Sequence, residues 1–133
     1  MSINVVHLFT SDGGGAGIAA LRLHHGLLIG GVKSAIICAE GRNNYDGEYI
    51  APYPTSRSTR ILRKLGLDED PIKSYWKKIE AARGTYESFS LPLSYYKVEK
   101  HPCVEAADIV HLHWVSNFIN YPDFSSVAGL QLT

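Results

Sequence analysis

Residues Asn4-Val5-Val6-His7-Leu8-Phe9-Thr10 form a near-continuous apolar run rich in β-branched side chains. That is how a strand covered on both faces of a parallel sheet reads. A glycine-rich stretch, Ser11 to Gly17, follows. From Ile18 to Ile29 the positions of Ile18, Leu21, Leu27 and Leu28, together with the alanines, predict a helix ending at Gly30-Gly31. Lys33 to Ala39 repeats the buried-strand pattern, so residues 4–39 read as one βαβ unit, right-handed by the general rule, and the fold class is α/β.

Glu40 to Tyr53 is polar and rich in Gly, Asn and Pro, which predicts a long surface loop. Thr59 to Leu65 places Ile61, Leu62 and Leu65 on one helical face among basic residues, with Gly66 as the stop. A second helix is predicted with Asp70 as N-cap, Pro71 at its first position, and Ile72, Tyr75, Trp76 and Ile79 spaced along one side. Both suit helices covering a sheet. Residues 84–100 show no clear period and read as irregular. Ala106 to Val115 predicts another buried strand, followed by a loop with Asn117, Asn120 and Pro122 and a short helix at Asp123 to Ala128.

The 133 residues fit one small domain, and 45% hydrophobic with 20% charged residues is ordinary for a folded chain. Thirteen Lys and Arg balance 13 Asp and Glu, so there is no global field to hold nucleic acid. The charge is uneven, however: residues 55–83 carry eight basic side chains against four acidic ones. Basic amphipathic helices also attach to anionic membranes, and peripheral contact through 55–83 is the sharper alternative to sheet-covering helices. The first basic residue is Arg22, so the charged start of a signal peptide is missing, and no apolar stretch approaches a membrane span. Cys38 and Cys103 lie far apart and are read as reduced thiols, which with the other signs points to a cytoplasmic protein.

Candidate chemistry starts at Gly13-Gly14-Gly15-Ala16-Gly17. Unpaired N–H groups and a partial positive charge at a helix N-terminus form a phosphate site where glycines let the backbone approach closely. A run of glycines costs stability in ordinary positions, which favours a binding role over a plain connection. Ile18-Ala19 follow where the Walker signature needs Lys and Ser or Thr, so a standard P-loop is excluded. Gly15-Ala16-Gly17-Ile18-Ala19-Ala20 fits the dinucleotide pattern G-x-G-x-x-A, with Glu40 as the ribose ligand. Four residues, Ser11 to Gly14, then separate the predicted strand from the first fingerprint glycine, too many for the tight dehydrogenase turn.

His111 and His113 lie two apart on a predicted strand and share a face. A metal site needs further ligands, and only His101 and Asp108 are near in sequence, so no metal centre is assigned. Packed or hydrogen-bonded histidines remain the plain reading. The other is a role in a cleft, since ligand crevices of open α/β sheets lie at strand C-terminal ends, where His113, Trp114 and Asn117 emerge. Arg22, about a turn and a half past the glycines, faces either phosphate or solvent.

Two stretches, Ser11-Asp12-Gly13-Gly14-Gly15-Ala16-Gly17-Ile18-Ala19-Ala20-Leu21-Arg22-Leu23-His24 and Ala107-Asp108-Ile109-Val110-His111-Leu112-His113-Trp114, resemble the start of bacterial group 1 (family 4) glycosyltransferases of the GT-B fold. Phe89-Ser90-Leu91 and Lys100-His101-Pro102 have the same flavour. The resemblance implies a Rossmann-like, acceptor-side N-terminal domain of a retaining transferase. Such an enzyme moves a sugar from a nucleotide-sugar donor to a glycan or lipid-linked acceptor in polysaccharide synthesis. It places Gly14, Gly15, Ala16 and Gly17 near the donor phosphates or the transferred sugar. It implies no cofactor, the nucleotide-sugar being a substrate. The family continues into a further strand, a Thr-Leu-His-Asp-like motif and a donor-binding domain, whereas the sequence given stops at Thr133, so catalysis by this chain alone is not expected. The alternatives are an oxidoreductase-like dinucleotide module using Gly15, Gly17, Ala20 and Glu40, and a non-catalytic binding or remnant domain.

Overall fold

The apolar N-terminal run forms β1 (Asn4–Ser11) in the computed structural model, which describes residues 2–41, 48–49, 55–82 and 90–127. The glycine stretch turns the chain into α1 (Gly15–Ile29), which leads to β2 (Lys33–Glu40). A two-residue strand, β3 (Glu48–Tyr49), lies within the polar stretch predicted as loop; most of that stretch is outside the described residues. Near the C-terminus comes β4 (Ile109–Leu112). The sheet has the order β3-β2-β1-β4 and every pairing is parallel. The chain is thus an α/β protein with a Rossmann-like parallel sheet and flanking helices, as its pattern predicts.

Burial on two faces explains the near-continuous apolar run. Val5 to Phe9 are all buried, and successive side chains go to opposite faces of the sheet. Val6 and Leu8 join Ile37, Val98, Val104, Val115, Phe118, Ile119 and Phe124 in one core. On the other face Phe9 packs with Ile36 and Cys38 of β2 against Ala20 and Leu21 of α1. Helix α1 closes with Gly31 at a φ of 76°, the left-handed position that the predicted Gly30-Gly31 stop requires.

The first core is completed by a 3₁₀ turn at Val98–Lys100 and α4 (Pro102–Glu105), which periodicity does not reveal, and by α5 (Tyr121–Val127), the short helix predicted from Asp123, which starts two residues earlier. Side-chain hydrogen bonds define them. The Ser94 hydroxyl faces the carbonyls of Asn117 and Phe118 at 3.2 and 3.0 Å and accepts from the Tyr96 N–H. At the start of α5, Asp123 accepts from the Lys97 ammonium at 2.6 Å and from Asn120. These contacts, the lysine hydrogen bond first, hold the Asp123 carboxyl below its ordinary range.

The strand predicted over Ala106 to Val115 is shorter than its apolar run. Ala106 caps the end of α4, and the Asp108 carboxylate accepts from the Asn4 N–H at 2.8 Å, so pairing begins only at Ile109. Beyond Leu112 the chain still follows β1, with the His113 N–H donating to Leu8 at 3.0 Å and the Thr10 N–H donating to Trp114 at 2.8 Å.

The chain divides into two compact units, Met1–Pro52 with Leu91–Thr133, and Tyr53–Ser90. The second unit contains α2 (Arg57–Lys64) and α3 (Pro71–Ala81). Ser56 caps α2 by accepting from the Thr59 N–H. Gly66, at φ 71°, ends it, with the Gly66 and Leu67 N–H groups reaching back to Arg63 and Leu62. Asp70 caps α3 as predicted, accepting from the N–H groups of Ile72 and Lys73, and Arg63 bridges Asp68 and Asp70 at 3.1 Å each. Neither helix contains a buried residue, and Ile61, Leu62, Leu65, Leu67 and Tyr75 are exposed. No helix among the described residues is long and apolar enough to cross a membrane.

Candidate functional site

At the C-terminal ends of β1 and β4, a cleft of about 570 Å³ is lined by Ser11, Gly13, Gly14, Gly15, Ala16, Gly17 and Trp114. Here the N-terminus of α1 faces solvent. Its N-cap is Gly14, extended at φ −113° and ψ 172°, a residue with no side chain to cap the first turn. The N–H groups of an uncapped first turn are donors for an anion, and the helix dipole favours negative charge there. Trp114 also lines the cleft, with two-thirds of its surface exposed.

The glycines divide by cause. A Cβ at Gly17 would strike the Ser11 carbonyl oxygen and come within 2.7 Å of the Asp12 Cα, so here a missing side chain lets α1 rest on the end of β1. At Gly14 and Gly15 a Cβ would meet nothing within 4 Å, and at Gly13 only the Ser11 hydroxyl at 3.6 Å. None of the three has a positive φ. Neither packing nor backbone conformation demands glycine at these positions. What their missing side chains provide is open space in the cleft over backbone N–H groups.

The dinucleotide fingerprint fits only in part. Strand β1 runs one residue further than predicted, yet three residues still intervene, and α1 begins at Gly15 itself instead of after the turn. Gly17, the second glycine of the match, makes the close helix–strand contact that belongs to the third fingerprint position. Ala20 is fully buried in the α1 face of the core. Glu40 pairs with Ser11 across the sheet and its carbonyl accepts from the Asp12 N–H, but its side chain is not among those lining the cleft.

Of the other residues proposed from sequence, Arg22 is exposed on α1 and does not line the cleft. Asn117 is exposed in the loop after β4, at a φ of 56°, and also lies outside the lining. His113 turns to the α1 face of the sheet instead of toward Trp114's cleft. There it meets His111 and a third histidine that sequence reasoning passed over, His7.

His7 is fully buried in the central strand, and His111 is its register partner on β4. The His7 Nδ1 and His113 Nε2 atoms are 3.1 Å apart, and the His111 and His113 ring centroids are 4.2 Å apart. One ligand nitrogen from each ring falls within 4.8 Å of the others. Burial, reinforced by the neighbouring His113, His111 and His24, lowers the pKa of His7 to about 4, and burial followed by His111 lowers that of His113. The His7 Nε2 atom has no hydrogen-bond partner. The two residues considered as additional ligands have other work: His101 caps α4 by accepting from the Cys103 N–H at 3.2 Å, and Asp108 holds the start of β1. The available signal was a histidine inside an otherwise apolar strand.

Helix α1 carries a further buried histidine, His24, whose Nδ1 is 2.8 Å from the Ser34 hydroxyl. Behind the glycine turn Cys38 is buried, and desolvation with the nearby Asp12 charge raises its thiol to about 12, which removes it as a nucleophile. Comparison of the chain with protein-family models, curated proteins and solved structures gave no match.

Proposed function

We propose that this chain is the acceptor-side, N-terminal part of a group 1 (family 4) glycosyltransferase, and that its glycine cleft receives the diphosphate of a nucleotide-sugar donor. The observation that carries the reading is the cleft itself. It joins an uncapped helix N-terminus, glycines that neither packing nor conformation requires at positions 13 to 15, and an exposed Trp114 at the C-terminal edge of a parallel sheet. The order of the two family-like motifs agrees with it. In this reading the backbone N–H groups of the first turn hold phosphate oxygens and Trp114 offers a flat apolar wall to the base or sugar. Transfer needs residues from a second domain. The exposed basic unit containing α2 and α3 would meet the membrane that carries a lipid-linked acceptor.

Calorimetric titration with UDP, GDP and NADH tests this. Saturable binding of a nucleoside diphosphate, with no response to NADH, is the expected result. Gly14→Ser supplies the internal test. A serine N-cap is at least as good as glycine and adds a few tenths of a kcal/mol of helix stability, but it occupies the N–H groups that a phosphate would use. The variant should be as stable as the parent and bind the diphosphate at least tenfold more weakly. Unchanged binding in Gly14→Ser, or binding of NADH instead, would remove the reading.

A further inference from the structure

We propose that His7, His111 and His113 form a binding site for a divalent transition-metal ion of the zinc class, held by three imidazole nitrogens with the fourth tetrahedral position left to solvent. The inference is independent of the glycosyltransferase reading, since the three rings lie on the α1 face of the sheet and none lines the glycine cleft.

The arrangement follows from the register. His7 and His111 are paired across two adjacent parallel strands, so their side chains leave the sheet on one face, and two residues on His113 rejoins that face because the chain still follows β1. Three nitrogens around a zinc ion at about 2.0–2.1 Å stand roughly 3.3 Å from one another. The His7–His113 pair is already at 3.1 Å, and all three candidate atoms lie within 4.8 Å. His111, the exposed member, is the ring with room to swing the remaining distance.

Two features separate this cluster from histidines that merely pack. First, the ring of the fully buried His7 has its hydrogen-bond contact with another candidate ligand nitrogen, His113 Nε2, and among the described residues no other polar group meets it on either side. Such a residue is an expensive choice between Val5 and Phe9 in the central strand, where an apolar side chain would fill the same space. Second, among the described residues no carboxylate belongs to the cluster. Three neutral imidazoles suit zinc, cobalt, nickel or copper and are poor ligands for magnesium or calcium, which take oxygen. The bound ion would fasten β4 to the central strand, with solvent access past His111.

The test uses chain stripped with EDTA, titrated with Zn²⁺ by calorimetry and with Co²⁺ as a spectroscopic probe. One ion per chain at micromolar concentration, visible d–d absorption of four-coordinate Co²⁺, and a raised melting temperature that EDTA reverses are expected. His111→Ala, at an exposed position, should keep the parent circular dichroism and lose at least tenfold in Zn²⁺ affinity, and His113→Ala should do the same. His25→Ala, an exposed histidine of α1 outside the cluster, should bind as the parent does. No binding of Zn²⁺, equal binding by His111→Ala, an equal loss in His25→Ala, or equal affinity for Mg²⁺ would each overturn the proposal.

Discussion

Gly17→Ala and Gly26→Ala make the same chemical change at two points of α1, and the structure gives them opposite signs. A Cβ at Gly17 collides with the Ser11 carbonyl oxygen, and lies 2.7 Å from the Asp12 Cα and 3.0 Å from its carbonyl carbon. All three are backbone atoms at the end of the central strand, so no rotamer change relieves the contact and the first turn of α1 must lift. Forcing a methyl group into such a site costs about 1–3 kcal/mol. Better helix propensity returns no more than about 1 kcal/mol. At Gly26 a Cβ meets nothing within 4 Å. There the gain of about 0.5–1 kcal/mol from a lower unfolded-state entropy and higher helix propensity stands alone. The two variants should therefore differ by about 2 kcal/mol, Gly17→Ala below the parent and Gly26→Ala above it. Urea denaturation followed by circular dichroism measures this from the midpoints, provided the m-values agree. A Gly17→Ala midpoint equal to or above that of Gly26→Ala would refute the docking of α1 on the Ser11–Asp12 backbone.

Stability should depend on pH through His7. Its folded pKa, about 4, is below the unfolded value of 6.5, so the unfolded chain takes up a proton first. The His7 contribution is intact above pH 6.5 and is lost as pH falls toward 4. The loss amounts to about 3 kcal/mol, and His113 acts in the same direction. In EDTA, His7→Gln should flatten that slope; an unaltered slope would show that His7 titrates normally. Cys38, with its thiol raised to about 12, should resist alkylation at pH 8, where only about one in 10⁴ is thiolate. Labelling should go to the half-buried Cys103 instead, and rapid modification of Cys38 in folded protein would contradict its burial. The exposed Ile61, Leu62, Leu65 and Leu67 beside the basic residues of α2 should carry the chain with anionic vesicles in flotation at low salt and release it at high salt. No flotation at low salt would remove the membrane contact.

Local chemistry made part of this protein readable in advance. The Asp70-Pro71 start of α3 and the Gly66 end of α2 depend on backbone groups a few residues away, and the structure has them where the side chains predict. Helix α1 begins three residues before Ile18 because its first turn is built of glycines and one alanine, which carry no apolar period to read. The 3₁₀ turn at Val98–Lys100 and the four-residue α4 escaped a periodic reading because they are too short to repeat, and hydrogen bonds such as that from the Cys103 N–H to the His101 ring define them instead.

The sequence by itself determined the α/β class, because a strand buried on both faces reads as a near-continuous apolar run, and it determined the strand–glycine–helix order that forms the cleft. Only the tertiary structure decided that β4 lies beside β1, and therefore that His7 meets His111 across a separation of 104 residues. It also decided that Gly17 is required by a backbone contact while Gly14 and Gly15 are not. The physical reason is the same in both cases: a helix period or a cap is a relation between near neighbours, whereas a cross-strand pair or a helix resting on a strand exists only once the sheet has chosen its order.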